Sequence, residues 1–321
     1  VTLPQRRAAP DEAAATARRQ SPPDMAWIPG GLFDRGSAAH YPEERPVRRV
    51  AVAGFRMDRT PVTTRAFAAF VAATGHVTLA ERSPPDGAYP GADPALLVPG
   101  SLVFAAPGAP GDPQDWRRWW RFAPGASWRR PFGPGGPEAT DDHPVVHVGH
   151  ADAAAYAGWA GKALPTETEW EFAARGGLDG AEFAWGDELA PGGVHRANTW
   201  QGRFPAENLA EDGFTGLSPV EAFPPNGYGL SDMIGNVWEW TADAWTDDHA
   251  GHPAAACCGV AAPAAGAPVP RMVVKGGSHL CAPNYCRRYR PAARQPQSID
   301  TTTGHIGFRC VRRPRTEDQR P

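Results

Sequence analysis

The chain has 321 residues, a formal net charge of −3 and 41% hydrophobic residues. That length can bury a sizeable core as one large domain or two small ones, and so balanced a charge gives no reason to expect nucleic acid or a membrane surface as partner. Gly and Pro number 36 each, roughly double their usual share, yet 12 Trp argue against disorder and for a compact fold of long, packed loops.

Val1 to Asp24 is rich in Ala, Arg and Pro and has no apolar centre. It reads as a disordered tail rather than a signal peptide. One domain is expected over 25–313, with a polar tail at 314–321. "MAWIPGGLFDRGS", Met25 to Ser37, reads as a strand broken by a Pro-Gly-Gly turn. "VRRVAVAGFRMD" follows as another strand. "PVTTRAFAAFVAATGH" is the first clear helix: Thr63 caps it, Phe67, Phe70 and Val71 recur at helical spacing, and Gly75 ends it.

Residues 81–142 are Pro- and Gly-rich around "DWRRWWRF" and read as a long irregular region, the kind of loop that is usually functional or mobile. "DAAAYAGWAG" is a helix from Asp152 to Gly161. "PTETEWEFAARGG" is another, with a Thr166–Glu169 capping box and a stop at Gly176. Beyond it the chain reads as turns and short strands. "DDHAGHPAAACCGVAAPAAGAPVP" looks like a surface insertion. No stretch is long and apolar enough to span a bilayer.

Five cysteines are too few for a disulfide scaffold, and a reducing cytoplasm is the default compartment. Cys281 and Cys286 stand in "GGSHLCAPNYCRRYRPAARQ". They read as a structural disulfide or buried thiols, or as a two-thiolate site for a soft, low-coordinate ion such as Cu(I). A zinc site would want four ligands. Arg287, Arg288 and Arg290 favour thiolate if they lie near the sulfurs. Cys257-Cys258 is a vicinal pair in the insertion, and Cys310, in "GHIGFRCV", is most simply a core residue. "ANTWQGRFPAENLAEDGF" and "NGYGLSDMIGNVWEWTAD" offer oxygens to a hard ion such as Ca2+, although ordinary turn chemistry explains the same composition.

"GGSHLCAPNYCRRYRPAAR", "GFRC", "NGYGLSDMIGNVWEW", "LPTETEWEFAARGG", "HPVVHV" and "NTWQGRFP…EDGF" together resemble the formylglycine-generating enzymes, or sulfatase-modifying factors, from about Met25 to Arg313. The resemblance implies an irregular, loop-rich α+β domain of low secondary-structure content, related to C-type lectin-like folds. It implies O2-dependent oxidation of a cysteine in a Cys-x-Pro-x-Arg segment of a sulfatase to Cα-formylglycine, with an external thiol reductant. By position, Cys281 and Cys286 would bind Cu(I), Ser278 would line the oxygen and substrate site, and Tyr285 would precede the second cysteine. Trp238 would lie beside the copper. Trp119, Trp120, Arg288 and His305 are candidate groove residues, and the Trp pair could equally be core.

The same resemblance implies two structural calcium sites. One would use the side chains of Asn198 and Asp212 with the carbonyls of Thr199 and Phe214. The other would use Asp232 and Glu239 with the carbonyls of Gly235 and Val237. This chain also departs from the family. Ala-Pro-Asn-Tyr separates the cysteines where many members begin with His. Pro291, Ala157 and Ala174 replace disulfide cysteines, His305 replaces a frequent Asn, and Gly100 stands where an acid can meet the substrate arginine. A non-catalytic binding module with a Cys281–Cys286 disulfide is one alternative; a thiol-disulfide oxidoreductase is another, though no CxxC or thioredoxin-like pattern supports it.

Overall fold

The computed structural model describes residues 24–107, 112, 115–249 and 269–314. The two tails and Cys257-Cys258 lie outside those residues, apart from Asp24 and Pro314. Among the described residues, eleven short strands and three α-helices are joined by loops and 3-10 turns. The low content of regular structure is what the Gly and Pro content predicts, and the class is α+β.

The Pro-Gly-Gly turn separates β1 (Met25–Ile28) from β2 (Gly31–Arg35), as expected. The next segment is two strands, not one: β3 (Arg48–Val52) and β4 (Phe55–Asp58) part at Ala53-Gly54. The break lets β3 pair with β2 while β4 pairs with β1 and with β11 (Val311–Arg312). The region read as irregular contains an antiparallel pair, β5 (Gly100–Phe104) and β6 (Trp120–Pro124). The last sheet has the order β10-β7-β8-β9, built from Ile306–Gly307, Trp238–Ala244, Arg271–Lys275 and Arg294–Ser298.

Helix α1 spans Thr64–Thr74; Thr63 accepts the Ala66 N–H and Gly75 closes it in the left-handed conformation. Helix α2 spans His150–Trp159, two residues earlier than the sequence pattern placed its start. Asp152 sits inside the first turn and reaches back to accept the Gly149 N–H at 2.8 Å. Helix α3 (Glu167–Ala174) has the expected Thr166–Glu169 capping box. Phe67, Phe70, Tyr156 and Phe308 pack edge-to-face in the larger core, which also contains Cys281, Cys286 and Cys310. Among the described residues, no helix is long and apolar enough to cross a membrane.

Helix α3 also carries two fully buried carboxylates. Glu167 accepts from Arg35 and Arg294, each at 2.8 Å, and Lys275 Nζ lies 3.5 Å away. Glu171 accepts from Arg175 at 2.7 Å and from the Gly36 N–H at 2.8 Å. Burial alone would push the Glu167 carboxyl up. Lys275, His249, Arg294 and Arg35 outweigh it and hold the carboxyl well below its usual range. Glu167→Gln would leave three buried cations around a neutral group. The expected loss is about 3–5 kcal/mol, measured as a lower urea midpoint; an unchanged midpoint would mean that the cluster does not hold these loops.

Candidate active site

Strand β8 ends at Lys275 and the chain turns through Gly276-Gly277. Gly277 has φ of 70°, and a Cβ there would lie 2.9 Å from Tyr289 N and Cα. Only glycine allows the segments before and after the cysteines to touch so closely. The Cys281 N–H then donates to Ser278 O at 2.9 Å, and the Tyr285 and Cys286 N–H groups both donate to Ala282 O. These two tight turns bring Cys281 Sγ and Cys286 Sγ to 3.2 Å. A disulfide would need about 2.05 Å; both are free thiols.

The two sulfurs are buried at the edge of the larger core, and both line a cleft of about 470 Å3. Ser278, Tyr285 and Trp238 line the same cleft, as do Trp119, Trp120, Arg288 and His305. The structure therefore brings every expected copper and groove residue to one cavity. Trp119 is only 1% exposed, so it is core and cleft wall at once. Gly100 is not among the lining residues. Phe204, Trp116, Thr301, Thr303, Gln295 and Gln297 line it without having been singled out by sequence. Only the i, i+2 spacing of the two glutamines could have drawn notice.

Neighbouring segments fix the motif. Trp200 N–H donates to Cys281 O at 3.0 Å. Phe204 stacks on Tyr285 with ring centroids 4.4 Å apart and Trp119 meets it edge-on at 5.8 Å. Of the three arginines, Arg287 pairs with Glu182 and Arg290 with buried Glu44. Only Arg288 acts on the sulfurs. Its guanidinium is held by Glu43 at 2.8 Å and lies 4.0 Å from the centre of the Tyr41 ring.

Burial and the neighbouring Cys286 push the Cys281 thiol well up. Cys286 accepts a hydrogen bond from Cys281 and faces Arg288, which brings it down to about 7. The pair thus favours one thiolate, on Cys286. Tyr285 is pushed up to about 12 by burial and by the sulfurs, so it stays a neutral donor.

The residues expected around calcium also converge in part. Asp212 accepts from Thr199 N and Phe214 N, each at 3.0 Å, which gathers four residues into one loop cluster with Asn198. Asn198 donates through Nδ2 to Gly216 O, while its buried Oδ1 has no partner. A cation would supply one. Gly235 lies against this cluster: a Cβ there would come 2.3 Å from Asn198 O. Burial pushes nearby Asp232 up to about 6, so its carboxylate lacks full compensation. Glu239 differs, because it already accepts from Arg309 at 2.8 Å and Trp170 at 2.7 Å. Among the described residues no three His, Cys, Asp or Glu converge in a metal-binding group, so either site would depend on amide and main-chain oxygens.

The thiol geometry gives a direct test. In metal-free protein, iodoacetamide should alkylate Cys286 before Cys281, with an inflection near pH 7. Arg288→Met removes the cation that favours thiolate and should move the inflection upward. Peptide mass spectrometry across a pH series reads both; equal labelling of the two sulfurs at every pH would contradict the assignment.

The sulfatase-modifying factor enzyme 1-like domain matches residues 10–314. The chain is 55% identical over 294 residues to a formylglycine-generating enzyme of Mycobacterium tuberculosis, covering 91% of this chain and 98% of that protein. It is 49% identical over 307 residues to a formylglycine-generating enzyme of Thermomonospora curvata, covering 92% and 97%. Among solved structures, PvdO from Pseudomonas aeruginosa is similar with a TM-score of 0.61 and 25% identity, over 90% of this chain and 94% of that one. With the fold, the paired thiols and the match along nearly its whole length in agreement, the chain belongs to the formylglycine-generating enzyme, or sulfatase-modifying factor, family.

Proposed function

We propose that this enzyme oxidises a cysteine in a Cys-x-Pro-x-Arg segment of a sulfatase to Cα-formylglycine. The observation that carries the reading is a pair of free thiols 3.2 Å apart on the wall of a peptide-sized cleft. Converting a cysteine CH2–SH to an aldehyde and hydrogen sulfide removes two electrons. Reducing O2 fully takes four, so two more come from an external thiol pair.

Cys281 and Cys286 would hold Cu(I), since two thiolates suit a soft, low-coordinate cation. Bound there, copper would supply an open coordination position and redox chemistry with O2. The chain's own groups do the rest. Cys286, at about 7, needs little cost to lose its proton. Tyr285 stays protonated beside the sulfurs and can donate a hydrogen bond. Trp238, Trp119 and Phe204 form a nearly buried apolar wall of the cleft that excludes water beside the sulfurs. Ser278 lies in the turn before Cys281, so a substrate group near the sulfurs also meets its hydroxyl.

Conversion of a Cys-x-Pro-x-Arg peptide to an aldehyde should require Cu(I), O2 and a thiol. Cys281→Ala or Cys286→Ala should abolish it. Mass spectrometry of the peptide with and without copper measures this; turnover without O2 would instead favour thiol-disulfide exchange. Calcium is proposed at Asn198–Thr199–Asp212–Phe214 and at Asp232–Gly235–Val237–Glu239, supported by the unpartnered Asn198 Oδ1 and the undercompensated Asp232. A ligand bound only by the folded state raises its stability by about 2.7 kcal/mol at 100 times Kd. Added Ca2+ should therefore raise the thermal midpoint and EGTA lower it, and Asn198→Ala should blunt the response. A midpoint indifferent to both would exclude the calcium sites.

A further inference from the structure

The geometry points to Gln295 and Gln297 as readers of the substrate's main chain, an inference that rests on the peptide-oxidase reading above. Both glutamines belong to β9 and both line the cleft that contains Cys281 and Cys286. Being two residues apart on one strand, their side chains leave the same face. Both residues are half-buried, and neither side chain makes a hydrogen bond among the described residues. A glutamine amide offers two donors and an acceptor, so the cleft presents two free sets of them.

Their spacing is the informative feature. Two residues of strand advance about 6.6 Å, which is also the repeat of an extended peptide. A substrate segment lying extended beside β9 therefore offers main-chain N–H and C=O groups in step with the two amides. Main-chain pairing with β9 itself is impaired. β9 is the edge of its sheet, but Pro296 at its centre has no N–H to give an added strand. The side chains on either side of that proline are left to make the contacts.

The strand is also held firmly. Arg294, at its start, is fully buried and donates through Nε to Glu167 at 2.8 Å and through Nη2 to the same carboxylate at 3.0 Å. Its third arm reaches Thr246 O at 2.8 Å. The next residue faces the cleft from a backbone that cannot shift easily. Apart from the Cys286 thiolate, Arg288 is the only charged residue among the described residues lining the cleft, and Glu43 already pairs with it. Recognition near the sulfurs thus depends on shape, aromatic surface and neutral hydrogen bonds. Gln295 and Gln297 would make the cleft tolerant of the side chains flanking the target cysteine while requiring an extended, unfolded segment.

The test uses a fluorescein-labelled peptide with Ser in place of the target cysteine, titrated against full-length wild type, Gln295→Leu, Gln297→Leu and the double variant. Each single variant should weaken binding about five- to tenfold, the factor expected for one or two lost hydrogen bonds. Single N-methyl groups are then placed along the peptide. Wild type should lose affinity at two positions two residues apart, and the double variant should show no further loss there, as coupled partners do. With the cysteine peptide, KM should rise while kcat stays near the wild-type value. If wild type binds and converts the peptide but the leucine variants match it, or if N-methylation costs the same in all proteins, this inference is overturned alone. If wild type neither binds nor converts the peptide, the oxidase reading fails and this one falls with it.

Discussion

Buried arginine–carboxylate pairs hold this fold together. Helices and strands are short, so most of the chain lacks a repeating hydrogen-bond ladder to fix it. Arg290 with Glu44, Arg294 with Glu167 and Arg309 with Glu239 join residues 246, 127 and 70 positions apart. Each of these arginines is at most 2% exposed. Desolvating such pairs is costly, and a well-packed apolar core could match their net contribution. What they add is register. A guanidinium makes its full set of bonds in one orientation only, and the remaining donors here are taken by carbonyls such as Thr246 O and Ser231 O. A misplaced loop would leave an uncompensated buried charge, so one arrangement is strongly preferred.

Two of these pairs, together with two more exposed ones, fix the thiols. The segment after Cys286 is tied down at Arg287, Arg288, Arg290 and Arg294 by Glu182, Glu43, Glu44 and Glu167. Before Cys281, Gly276 and Gly277 pack against Trp170 and Tyr289. Across the motif, Trp200 binds the Cys281 carbonyl. Trp200 lies in the loop that also carries Asn198 and Thr199, which couples the geometry of that loop to the sulfurs. The sulfurs keep their separation because each flanking turn is independently fixed.

Local chemistry was legible in the sequence wherever it was local in fact. The Thr63 cap, the Gly75 stop and the Thr166–Glu169 box act within four residues of the helix ends they define. Asp152 misled because a carboxylate inside the first turn and one at the cap look alike in sequence; here Gly149 caps without a side chain and Asp152 also accepts from Leu79 N, 73 residues away. The β5–β6 pair was hidden by the Pro and Gly around it, and its register depends on contacts such as Phe104 with Trp120 and Trp200. The cysteine motif stood out because its spacing is distinctive. Gln295 and Gln297 did not, since their i, i+2 spacing gains meaning only once a strand turns both toward a cleft.

Burial also decides how much charge the site can hold. Both sulfurs belong to the apolar core cluster, where two adjacent thiolates would repel each other with little screening. One thiolate is stabilised by the Cys281 thiol and by Arg288, and the second is opposed by the first. Arg288 cannot be considered alone, because Glu43 shares its charge and Tyr41 covers its face. The charge on Cys286 therefore depends on a loop more than 240 residues earlier in the chain. That loop is held by Glu44 and Arg290, so the same kind of buried pair that sets the fold also sets the protonation of the thiol pair.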